Sequence, residues 1–109
     1  MVTMEIGKEF RAFDGKPLME APGKPIIIKD VLLHYLGTFN SKNGKTMIEA
    51  YRLGVKVAGH VEPEITLENA EFNLIKEATQ NPAHGALIIG QLQAVIDAAE
   101  ATKVEATQK

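Results

Sequence analysis

The chain contains no cysteine and no tryptophan among its 109 residues. Without cysteine there are no disulfide scaffolds, thiolate zinc sites or cysteine nucleophiles, and the composition suits a reducing cytoplasm. Serine is nearly absent: Ser41 stands alone in a polar loop outside any Gly-x-Ser-x-Gly turn, which argues against serine-triad chemistry. Charge of one sign is lacking too. Twelve Lys and Arg face fourteen Asp and Glu for a net −2, so no overall field draws in nucleic acid or an anionic membrane. No apolar run reaches the roughly 20 residues that a spanning helix needs. Pro25 to Leu36 is interrupted by Lys29, Asp30 and His34, and Ala83 to Ala99 by His84, Gln91, Gln93 and Asp97. Met1 to Lys8 shows neither the apolar core nor the cleavage site of a secretory signal, and a cytoplasmic location is expected.

What is present is the composition of a folded domain, 45% apolar and 24% charged. The length accommodates one core. The expectation is a single α+β domain over residues 1–102, with 103–109 a flexible C-terminal tail.

The first 28 residues read as strands and turns. Ile6, Phe10 and Phe13 stand among charges, and Asp14-Gly15 supplies a turn leading to Lys16-Pro17-Leu18-Met19, a short hairpin. Pro22-Gly23 marks a second turn before the strand Lys24 to Ile28. Gly-Lys-Pro thus occurs at both Gly15–Pro17 and Gly23–Pro25, which reads as two similar turn-to-strand junctions.

From Lys29 the period shifts toward 3.6. Asp30 to Leu36 forms a helix with Leu32, Tyr35 and Leu36 inward and Gly37 as its stop. After the polar loop Asn40–Gly44, a second helix carries Met47, Ala50, Tyr51, Gly54 and Ala58 on one face until Gly59. Pro63 breaks it. Thr66 is expected to cap a third helix with Leu67, Ala70, Leu74 and Ala78 inward, and Asn81-Pro82 to open a fourth that reaches Thr102 with Ile88, Leu92, Val95, Ile96 and Ala99 as its stripe. Strands first and helices after imply segregated α+β: a small N-terminal antiparallel β-sheet, hairpin plus one strand, packed on about four helices.

Candidate chemistry is sparse. Asn43-Gly44-Lys45-Thr46 looks like the end of a phosphate loop, but Gly37 and Gly44 are too far apart and a helix precedes, so a turn entering a helix explains it. His34, His60 and His84 fall on three segments without metal-ligand spacing. Glu62, Glu64, Glu68 and Glu71 form an acidic patch that a helix N-terminus attracts. A helix-turn-helix reading of the second and third helices fails on its long turn and on Glu68, Glu71 and Glu77 in the would-be recognition helix. No residue is assigned a catalytic, cofactor-binding or metal-ligating role, and no cofactor is expected. Charge is nonetheless polarised: residues 1–59 hold nine basic and six acidic residues, residues 60–109 three and eight. Such halves attract each other or offer two surfaces to a partner.

Several of these elements, taken in order, resemble short uncharacterised proteins of tailed bacteriophages and prophages. They are the aromatic-x-x-Asp-Gly-x-Pro turn at Phe10 and Phe13 to Pro17, the strand running into Lys-Asp-Val-Leu at Ile26 to Leu32, and the Tyr-x-Leu helix at Tyr51 to Val57. Ile65-Thr66-Leu67-Glu68 before an acidic helix and the late Ile89-Gly90-Gln91 complete the order. The longer Ala-rich C-terminus departs from that pattern. The resemblance implies a viral origin and a small accessory or regulatory protein in the host cytoplasm, with no activity attached.

The leading expectation is therefore a non-enzymatic protein acting by protein-protein contact, with itself or with a host or phage protein. A sheet edge is one route to such contact. On the last helix, Gly85, Ala86, Gly90, Ala94, Ala98 and Ala101 permit close approach of another helix, expected to be one of this chain's own, with a homodimer the next reading. The alternatives are a small-ligand binder or small enzyme built from Tyr35, Tyr51, His34 and the acidic segment, and a nucleic-acid binder using the basic N-terminal half.

Overall fold

The computed structural model describes residues 1–80 and 84–102. The expected boundary at Asn81-Pro82 and the tail from residue 103 lie outside them. The architecture is mixed α+β. Its elements run β1 (Val2–Glu5), β2 (Met19–Ala21), β3 (Lys24–Pro25), α1 (Ile28–Thr38), α2 (Gly44–Ala58), β4 (Glu64–Leu67), α3 (Asn69–Ala78) and α4 (Ala86–Glu100).

Two antiparallel ribbons replace the expected single sheet. β1 pairs with β4, Val2 opposite Leu67 and Met4 opposite Ile65, while β2 pairs with β3. Alternation drives the first pairing: Val2, Met4, Ile65 and Leu67 are fully buried, whereas Glu5, Glu64 and Thr66 face solvent. Thr66 is thus a strand residue rather than a helix cap. Glu68 caps α3 instead, its N–H donating to the Glu71 carboxylate at 2.9 Å. The ladder continues past β1, where the Ile6 and Gly7 amides both donate to the Pro63 carbonyl, at 2.7 and 3.1 Å.

The two Gly-Lys-Pro junctions are structurally alike. Gly15 and Gly23 take φ of +89° and +77°, conformations open to glycine, and each turn feeds Lys-Pro into an apolar residue. Those residues, Leu18 and Ile26, close a ring with Phe10. Leu18 N–H donates to Phe10 O at 2.8 Å, Phe10 N–H to Ile26 O and Ile26 N–H to Leu18 O, both at 2.9 Å. The eight-residue spacing of these three residues is that of the repeat. The hairpin is correspondingly irregular, with single bridges Arg11 to Pro17 and Glu9 to Ile27.

Helix boundaries differ from expectation in three places. Ile28 opens α1 rather than ending a strand, because Asp30 accepts the Ile27 N–H at 3.3 Å and turns the chain. Gly37 does not stop α1, since its φ stays negative and the Thr38 hydroxyl donates to His34 O at 2.8 Å. The fourth helix begins at Ala86 after the cap Gly85, so His84 precedes it.

One core joins the β1–β4 ribbon to all four helices, with Leu18 and Ile26, which flank the exposed β2–β3 ribbon, packed half-buried against it. α2 contributes Ala50, Leu53 and Val57, α3 Phe72, Leu74, Ile75 and Ala78, and α4 Leu92, Val95, Ile96 and Ala99. The α4 stripe is as expected apart from Ile88, which is only half-buried. On α2 the expected face is displaced: Met47, Tyr51 and Ala58 stay exposed. The close neighbour of α4 is the strand β1, not another helix. No helix among the described residues is long and apolar enough to cross a membrane.

Candidate functional site

The fold scatters most residues singled out in the sequence. Asn43 caps α2, its side chain accepting the Lys45 N–H at 3.0 Å, so the phosphate-loop likeness resolves into a helix start. Of the acidic patch, the Glu71 carboxylate holds the α3 cap and pairs with Lys56 at 2.8 Å, while Glu64 contributes its main-chain carbonyl, 2.6 Å from His60 Nε2. Lys56–Glu71 is also the one ion pair among the described residues that joins the basic half to the acidic half. The pairs Arg11–Glu9, Lys24–Glu20 and Lys76–Glu100 each stay within a half.

Two stretches of open backbone, at Thr3 in β1 and at Arg11, are engaged by the chain itself. Gln91 on α4 accepts the Arg11 N–H at 2.8 Å and donates to the Arg11 carbonyl at 2.6 Å. Just past the end of α4, Thr102 Oγ1 accepts the Thr3 N–H at 2.9 Å. These contacts cover backbone groups that an incoming strand would use.

Of the proposed ligand-binding residues, His34 and Tyr35 come together on α1, and His84, absent from that set, joins them. The His34 and His84 rings lie 5.4 Å apart edge to face, and His84 Nδ1 is 3.0 Å from the hydroxyl of the buried Tyr35. Sequence separation hid this cluster, since His84 lies on a different segment from the α1 pair. Tyr51 and the acidic segment take no part in it. Through Nδ1 the Tyr35 hydroxyl orients the His84 ring.

A different surface carries the larger apolar exposure. On α2, Ile48, Tyr51 and Val55 recur at i, i+3 and i+7 and are 54%, 71% and 56% exposed, with Met47 beside them at 40%. The row borders a groove between α1 and α2 floored by Leu33, Leu36, Ala50 and Gly54. Gly54 faces Leu36 at the crossing, where an added Cβ would lie 3.9 Å from Leu36 Cβ, an ordinary contact. On the far side of the row, Lys45, Arg52 and Lys56 repeat at i, i+7 and i+11 along one helical line. Lys56 is held by Glu71, whereas Lys45 and Arg52 make no ion pair among the described residues.

Comparison of the chain with protein-family models, with curated proteins and with solved structures gives no match in any of the three.

Proposed function

We propose that this chain is a non-enzymatic accessory protein that works by contact with another protein through the α1/α2 face. One observation carries the reading: four large apolar side chains, Met47, Ile48, Tyr51 and Val55, stand exposed along α2 beside an apolar groove. Monomeric surfaces seldom gather such side chains contiguously unless something covers them. The engagement of Arg11 by Gln91 and of Thr3 by Thr102 favours a helix face over strand pairing as the route of contact. The order of short motifs that resembles tailed-phage proteins supports an accessory or regulatory role in a host cytoplasm.

A photo-crosslinking phenylalanine analogue placed at Tyr51, and separately at Asp97 on the exposed face of α4, tests the reading in cells. A discrete protein adduct is expected from position 51 alone, and Val55→Asp abolishes it. Equal adducts from both positions, or none from position 51, would overturn it.

A further inference from the structure

We infer that the partner segment seated on this face is an amphipathic helix of another protein, with acidic residues along one edge of its apolar stripe. The inference rests on the reading of the α1/α2 face as a contact surface and adds the chemistry of the occupant. Shape comes first. Ile48, Tyr51 and Val55 form a straight row on one helix, and the adjoining groove runs between two helices with small residues Ala50 and Gly54 in its floor. A helix laid alongside α2 meets the row at the same i, i+3, i+7 spacing, the geometry of ridge-into-groove packing.

Charge then selects among occupants. One border of the row is the basic line Lys45, Arg52 and Lys56, and two of these cations have no ion-pair partner among the described residues. Glu49 follows one residue line further out, in the groove it shares with Arg52 and Glu71 between α2 and α3. On the other border, α1 brings the uncharged Leu33, Leu36 and Gly37. An acidic edge on the incoming helix therefore finds its complement beside Lys45 and Arg52.

A second copy of the chain fits less well. In a two-fold antiparallel pairing of α2 with α2, like edges face each other, so the Lys45/Arg52 line of one copy would lie against that of the other. Juxtaposed like charges oppose that arrangement. The same repulsion sets this chain's own basic line against a basic helix of any source.

The test uses the intact chain and two synthetic helical peptides, about 18 residues each so as to span the 15-residue α2. Both carry the same Leu/Ala stripe, one bordered by Glu and the other by Lys. Fluorescence anisotropy at low salt is expected to show the Glu-bordered peptide binding about tenfold tighter, with the preference shrinking as salt rises. Lys45→Glu with Arg52→Glu should invert the preference, and Val55→Asp should weaken both peptides, while urea midpoints confirm that each variant folds. Equal affinities, no binding of either peptide, or a preference untouched by the double charge reversal would overturn the acidic-helix assignment. So would a concentration-dependent dimer dissolved by Tyr51→Glu. An adduct at position 51 without any charge preference would overturn only the partner chemistry. Loss of that adduct would overturn the contact face itself.

Discussion

The side-chain amide of Gln91 pairs with the main chain of Arg11 as a neighbouring strand would, accepting its N–H at 2.8 Å and donating to its carbonyl at 2.6 Å. The same Nε2 also reaches the Leu87 carbonyl at 3.0 Å, so both amide hydrogens are used. One side chain thereby joins α4 to the turn region across 80 positions of sequence.

Gln91→Leu removes these bonds and strands the Arg11 groups beside an apolar side chain. A cost of about 1–2 kcal/mol is expected, read from urea unfolding. Hydrogen exchange at the Arg11 amide should accelerate with it, and unchanged protection there would show that the pairing contributes nothing.

Gly7 sits against Pro63, where an added Cβ would meet Pro63 Cβ at 2.8 Å and Cα at 3.0 Å. The proline ring has no flexible end to yield, and the Pro63 carbonyl is fixed by two amides. Gly7→Ala should therefore destabilise by about 1–3 kcal/mol, measured by thermal or urea unfolding.

Two aromatic truncations should behave oppositely. Phe72 is fully buried, and Phe72→Ala should cost about 3–5 kcal/mol, a large part of the stability of a small domain. Tyr51 is 71% exposed, so Tyr51→Ala should leave stability within about 0.5 kcal/mol while weakening partner contact. A large stability loss at Tyr51 would mean that the face is part of the core.

Tyr35→Phe deletes the hydroxyl 3.0 Å from His84 Nδ1. A loss of about 1 kcal/mol is expected, together with altered imidazole nitrogen shifts at His84. Unaltered shifts at His84 would show that the hydroxyl does not hold the ring.

Much of the fold was legible where the signal is local. The turn glycines, the four helices and the α4 stripe follow from backbone preference and 3.6 periodicity. The β1–β4 ribbon was missed in the sequence: the expected strands lie at the hairpin through Asp14-Gly15 and at Lys24 to Ile28, whereas the four-residue alternations at Val2–Glu5 and Glu64–Leu67 become strands only by pairing with each other from distant parts of the chain. The Thr66 cap was misread for a related reason: Ile65 and Leu67 bracket it with strand alternation, and the true cap lies two residues on at Glu68. The candidate face was the least legible part, since its residues look like core.

Sequence alone determined the α+β class, the positions of the positive-φ turns and the approximate extent of the helices, all of which depend on neighbours a few residues away. Tertiary structure decided that Gln91 and Thr102 engage the backbone at Arg11 and Thr3, that His84 reaches Tyr35, and which side of α2 turns outward. Apolar residues occupy two sectors on nearly opposite sides of that helix, Ala50–Leu53–Val57 and Ile48–Tyr51–Val55. The expected face through Met47, Ala50, Tyr51, Gly54 and Ala58 falls between them, because periodicity does not say which sector the neighbouring elements cover. Burial is a property of the packed neighbours, and only their arrangement left Tyr51 and Val55 facing solvent.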